Sequence, residues 1–225
     1  MTIAIAIAGV AAVILIVVAA LKFKSIIQQS PSFTASVGTT QVELYKMYAW
    51  DIRRIPRSTA FIALTDETGW LGYATAKYLS ARMDYEVKRT AQPKLEVAIG
   101  DAVVVPVKRL PVKSIVIANI YNENKITNQQ LLENAIAKAI DTITNNQKAT
   151  IIILDPTDDW NYYQKRAEPE FAAKLLITAI AKHGHKLTAA RIIVSKNKNF
   201  DAYKRILTTV SEERWKYAEL VKQSN

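Results

Sequence analysis

The chain reads as an α/β protein, a three-layer α/β/α sandwich with a mixed sheet, preceded by one transmembrane helix. Three observations predict this. Strand-like and helix-like patterns alternate after residue 41 in the order β, α, β, β, α, β, α, β, α, as expected of a sheet covered by helices. One of the strand runs, Ile151 to Leu154, is apolar at every position, which suits a strand buried on both faces. Finally, the 19 residues from Ile3 to Leu21 carry no charged or strongly polar side chain.

At 1.5 Å of rise per residue, that run spans about 29 Å, close to the hydrocarbon thickness of a bilayer. A cleaved secretory signal is the alternative. However, only Met1 and Thr2 precede the run, which leaves no basic leading region, and the run is longer than a typical signal core. Residues 1–24 are therefore read as a membrane anchor. Lys22 and Lys24 flank its C-terminal end, which predicts a single-pass protein with its C-terminal domain in the cytoplasm. Ala8, Gly9, Ala12, Ala19 and Ala20 are small enough to let another transmembrane helix approach. Residues 25–40, rich in Ser, Thr and Gln, read as a flexible tether, and residues 41–225 as one domain of ordinary size.

Within the domain, Gln41 to Tyr48 alternates polar and apolar residues as a strand does, with Val42, Leu44 and Met47 as core candidates. Thr59 to Leu64 is a second strand, and a helical pattern follows from Tyr73 to Met83. Leu95 to Val105 and Ser114 to Ile120 are β-rich runs on either side of Pro106 to Pro111. Thr127 to Gln130 fits a capping box, in which Gln130 reaches back to the start of the helix. The helix after it repeats apolar residues at Leu132, Ala135, Ile136, Ala139, Ile140 and Ile143. Pro169 suits the first turn of another helix, which runs to His183 with Gly184 as its stop. Ala190 to Ser195 is the last strand. Asp201 to Thr209 follows as a short helix, and Ser211 as the cap of a final polar helix.

Open α/β sheets bind ligands beyond the carboxyl ends of their strands. Two loops occupy such places, Thr65 to Gly72 and Asp155 to Tyr163. From about Gln41 to Leu207, the layout resembles the macro domain, the module that binds and sometimes hydrolyses ADP-ribose. Val42 to Tyr48 followed by Trp50-Asp51-Ile52 is similar to the family's opening strand and Gly-Asp-Ile motif. Gly69 to Gly72 falls on its glycine-rich loop. Gly100 to Val103, with Leu110-Pro111-Val112-Lys113 and the strand after it, resembles the family's Leu-Pro-x-Lys region, and Leu154-Asp155-Pro156 opens its second phosphate loop. The resemblance implies a ligand-binding set of Asp51, Ile52, Asp66, Gly69, Trp70, Gly72, Asp155, Asp158 and Trp160, with Asp51 on the adenine amine.

The departures from that pattern bear on function. Ala63-Leu64-Thr65-Asp66 replaces the asparagines that orient the distal ribose in the family. Asp158 and Asp159 stand where its second loop is glycine-rich, and carboxylates repel a diphosphate. Hydrolysis of ADP-ribose is therefore expected to be absent and its binding weakened. Asp66, Glu67, Asp155, Asp158 and Asp159 form an acidic set without the spacing of a calcium loop, so they read as loop carboxylates and no metal is assigned. His183 and His185 straddle a helix stop and suit carbonyl capping. Trp50, Trp70 and Trp160 fall near the expected mouth, where they either stack on a ligand or close the core.

With 30 Lys and Arg against 20 Asp and Glu, the net charge is +10. That favours anionic lipid or an acidic partner. Nucleic acid is disfavoured, because no zinc-finger, RNA-binding or Walker pattern accompanies the charge. The absence of cysteine excludes disulfides, thiolate zinc sites and a cysteine nucleophile, and no cofactor is implied. Two functional readings follow. The first is a membrane-anchored, non-catalytic macro-like domain that acts as a structural or interaction subunit of a membrane assembly. The second is a reader that binds ADP-ribose or a related nucleotide in a modified pocket.

Overall fold

The computed structural model describes residues 28–65, 97–107, 111–120, 129–144, 148–156 and 168–212. These residues form a seven-stranded mixed sheet from β1 (Phe33–Val37), β2 (Thr40–Lys46), β3 (Ser58–Thr65), β4 (Ala102–Pro106), β5 (Val112–Asn119), β6 (Ala149–Leu154) and β7 (Leu187–Val194). The spatial order is β1-β2-β7-β6-β3-β5-β4. Neighbours from β2 through β5 run parallel, while β1 and β4 are antiparallel edges.

Alternation along each strand sends side chains to two cores. On one face, Val42, Leu44, Ile62, Val116, Ile153 and Ile192 pack beneath three helices, α1 (Gln129–Thr144), α2 (Pro169–His183) and α3 (Asn197–Glu212). On the other, Tyr45, Phe61, Ile117, Ile152 and Ile193 pack with Ile52 and Ile55 of the β2–β3 connection. That connection contains a 3-10 helix, Ala49–Arg54. Val42 and Met47 thus belong to opposite faces, and both are buried because both faces are covered.

Helix α2 is the central helix of the first face. Eight of its residues from Ala172 to Ile180 are buried, and Lys182 joins it to Glu133 of α1 at 2.9 Å. On its other side, Glu170 pairs with Arg205 of α3. Asp141 of α1 also reaches Lys186 at 2.6 Å, just beyond the end of α2.

Two expectations change. Residues 33–37, expected within a flexible tether, form strand β1. Phe33, Ala35 and Val37 pack on the core face, Thr34 points outward, and Gly38 (φ 58°) with Thr39 makes a two-residue hairpin to β2. The Gln130 side chain donates forward to Asn134 at 2.7 Å. Thr127 and Asn128 lie outside the described residues. Ser211 does not cap a separate helix. Phe200, Tyr203, Leu207 and Val210 keep one helical stripe buried throughout α3, so the helix continues to Glu212.

The apolar run Ile3 to Leu21 and the helical pattern from Tyr73 to Met83 also lie outside the described residues. Among the described residues, no helix is long and apolar enough to cross a membrane.

Candidate functional site

Strands β2, β3, β5, β6 and β7 all end at one edge of the sheet, at Lys46, Thr65, Asn119, Leu154 and Val194. The direction of winding changes beside β3, which has β5 on one side and β6 on the other. Such a switch leaves a crevice at the carboxyl edge.

Asp51 lies just past the end of β2. The amide of Met47 donates to Val194 O at 3.2 Å, which holds the start of the connection against β7, and the Asp51 amide donates to Tyr48 O at 2.9 Å. Ile52, 1% exposed, anchors the 3-10 helix in the second core. Its side chain is thereby committed to packing, so a role for Ile52 toward a ligand is confined to its main chain. The Asp51 carboxylate stays partly exposed, with Oδ1 3.6 Å from Arg54 Nε. It is a negative group on a rigid support, oriented by a cation one turn away.

Asp155, past the end of β6, has a different setting. It is fully buried, and its amide donates to Ile193 O at 2.8 Å. Asn199 Nδ2 donates to one carboxylate oxygen at 2.6 Å, and the Tyr203 hydroxyl donates to the other at 3.2 Å. Both donors come from α3. The carboxylate therefore ties α3 to the end of β6, since a buried charge needs hydrogen-bond partners.

Asn119, at the end of β5 and two strands beyond β6, is a residue that the sequence did not mark for the site. It is fully buried, and its Nδ2 donates to Val97 O at 2.8 Å. Its main chain accepts from the Gly100 amide and donates to Asp101 O, each at 3.0 Å. Gly100 has φ 74°, a conformation that favours glycine, so the turn before β4 is fastened to the end of β5. The only available sequence signal was one amide side chain in the apolar run Ile115 to Ile120.

Tyr48, Ile99 and Phe171 are the exposed large hydrophobic residues among those described, at 53%, 42% and 50%. Tyr48 follows β2, Ile99 precedes β4, and Phe171 is in the first turn of the helix after β6. All three therefore belong to the carboxyl-edge end of the fold.

Asp66, Gly69, Trp70, Gly72, Asp158 and Trp160 lie outside the described residues, so Asp51, Ile52 and Asp155 are the members of the expected set that the structure describes. Trp50 belongs to the 3-10 helix. His183 ends α2 far from Asp51 in sequence. Burial lowers its pKa, while Glu133 and Asp141 pull the other way. Among the described residues, no group of three His, Asp or Glu side chains is arranged to hold a metal ion.

The fold is that of the macrodomains. A single-substitution variant of the Oceanobacillus iheyensis macrodomain superposes with a TM-score of 0.63 at 12% identity, covering 80% of this chain and 98% of that one. The Trypanosoma brucei macrodomain in complex with ADP-ribose gives 0.62 at 10% identity, covering 81% and 77%. The macro domain of ganglioside induced differentiation associated protein 2 gives 0.60 at 13% identity, covering 79% and 88%. No family model and no curated protein sequence matches the chain.

Proposed function

We propose that the chain is a membrane-anchored macrodomain that binds ADP-ribose or a related nucleotide at its carboxyl edge without hydrolysing it. The observation that carries this reading is the position of Asp51. It is a supported, partly exposed carboxylate directly after the first parallel strand, in a fold shared with macrodomains solved with ADP-ribose. The anchor rests on the apolar run Ile3 to Leu21 and its lysine flank. Absence of turnover rests on the sequence, where Ala63-Leu64-Thr65-Asp66 and the aspartates of the second loop replace the groups that orient the distal ribose and diphosphate.

Melting of the full-length protein with and without ADP-ribose tests this. A ligand at a hundredfold excess over its dissociation constant stabilises a fold by about 2.7 kcal/mol, a visible shift. The wild-type protein should shift, Asp51→Ala should lose the shift while melting normally, and neither should release ribose or phosphate. A shift that survives in Asp51→Ala would sink the reading.

The second reading is an interaction subunit of a membrane assembly. It is favoured by the closure of Asp155, whose two oxygens are taken by Asn199 and Tyr203, and by the exposed Tyr48, Ile99 and Phe171 at the same edge. No thermal shift with ADP-ribose, together with retention of a partner on solubilisation from native membranes, would favour it.

A further inference from the structure

We infer that Asn199 is a positioning residue of the carboxyl-edge site: with Tyr203 it takes up the Asp155 carboxylate and so fixes the end of β6 relative to the segment that carries Asp51. Asp155 then serves the ligand through the main chain it holds in place, not by a contact of its own carboxylate. The inference rests on the ADP-ribose reading above. It adds which residues set the spacing of that site.

The geometry begins at the end of β7, which lies between β2 and β6. Two neighbouring carbonyls there hold both flanks of the site. Ile193 O accepts from the Asp155 amide at 2.8 Å, and Val194 O accepts from the Met47 amide at 3.2 Å. Helix α3 starts just beyond, and its first turn braces the same two flanks. Asn199 turns to the β6 side, where its Nδ2 donates to Asp155 Oδ2 at 2.6 Å. Phe200, the next residue, turns to the β2 side, where Lys46 Nζ lies 5.6 Å from its ring centre. Tyr203, one turn along from Asn199, donates its hydroxyl to Asp155 Oδ1 at 3.2 Å. The start of α3 is therefore a yoke across β7, with the end of β2 on one arm and the end of β6 on the other.

Burial decides how Asp155 can act. It has no exposed surface and Asn199 only 4%, so neither side chain offers itself to a ligand in the crevice. A buried carboxylate that loses a donor must find another or turn toward water, and turning would carry the end of β6 with it. Held by its two donors, the charge faces α3. Asp51 has the opposite character, since its carboxylate is partly exposed beside Arg54. Contact with the ligand thus falls to Asp51, and the placing of the opposite flank falls to Asp155 and Asn199.

Calorimetric titration of the full-length protein with ADP-ribose, well below the melting temperature, tests this. A hydrogen bond to a charged group is worth about tenfold or more in an equilibrium, so Asn199→Leu should weaken binding by about tenfold. Combining Asp155→Asn with Asn199→Asp should restore the wild-type affinity. The amide then on β6 donates to the carboxylate on α3 and accepts from Tyr203, so the pair survives with its charge moved. Gly184→Ala, beside Thr40 at the opposite edge of the sheet, should lower the melting temperature and leave the affinity unchanged. Asp155→Asn alone should not tighten binding, as it would if the carboxylate faced the diphosphate. Where Asn199→Leu does not fold, Tyr203→Phe removes only the second donor and should weaken binding in the same direction. Wild-type affinity in Asn199→Leu, an exchange no better than the single change, equal weakening by Gly184→Ala, or tighter binding by Asp155→Asn overturns the positioning. No binding by the wild type defeats the ADP-ribose reading and the positioning with it, whereas unchanged affinity in Asn199→Leu defeats the positioning alone.

Discussion

Thr40 and Gly184 meet where the end of α2 crosses the start of β2, and the Thr40 hydroxyl donates to the Gly184 carbonyl. Gly184 has an ordinary φ of −74°, so backbone conformation does not require glycine there. Space does. A Cβ at this position would stand 2.6 Å from Thr40 Oγ1 and 3.3 Å from Ile180 Cγ2. Gly184→Ala should therefore destabilise the fold by about 1–3 kcal/mol in a denaturant titration. In a Thr40→Ala background the same change should cost less, because the two side chains share one space. Tyr45, on the opposite face, is fully buried, and burial together with the hydrogen bond it donates to Glu43 pushes its hydroxyl up to about 12. The folded state then holds that proton more tightly than the unfolded chain, where the value is about 10. Its contribution is whole below pH 10 and disappears between about pH 10 and 12, a loss of roughly 2–3 kcal/mol. Tyr45→Phe should flatten that part of the curve of stability against pH.

Among the elements, the β2–β3 connection depends most on one side chain. Arg191 of β7 pairs with Glu43 of β2 at 2.8 Å and holds the carbonyls of Pro56 and Arg57, thereby joining two strands to the segment that carries Asp51. Arg191→Met would leave Glu43, about 12% exposed, as an unpaired interior carboxylate. The expected cost is about 3–5 kcal/mol, and adding Glu43→Gln should recover part of it, as urea titration of the two variants would show. This pair was not legible in the sequence, where Glu43 looked like one outward position of an alternating strand and Arg191 an interruption in an apolar one. Most strands and helices were legible, because burial on both faces leaves apolar runs such as Ile151 to Leu154, and a helix over a sheet leaves the stripe from Leu132 to Ile143. Strand β1 was hidden by its small polar residues, since its outward positions are Thr34 and Ser36 and only Phe33 is large. The longer α3 was hidden by a polar outer surface that looked like a break after Thr209.

For the molecule as a whole, the carboxyl edge carries Asp51, Asn119 and Asp155, which come from three distant parts of the chain. The places of Asp51 and Asp155 in the layout, but not that of Asn119, were readable from order and spacing. Their roles were not, because the direction in which a side chain turns depends on neighbours remote in sequence. Asp155 turns inward because Asn199 and Tyr203, 44 and 48 residues away, supply its donors. Asp51 stays at the surface because Ile52 beside it fills the core. The strand order carries a further consequence, for biosynthesis. Strand β2 lies between β1 and β7, so the N-terminal hairpin reaches the rest of the sheet only through a strand that begins at Leu187. While a ribosome is still making the earlier residues, β2 has an open side with no native partner. Closing it depends on contacts across more than 140 residues, the slowest kind to form. The chain would therefore wait, half assembled, until its last strand emerged to join the two parts of the sheet.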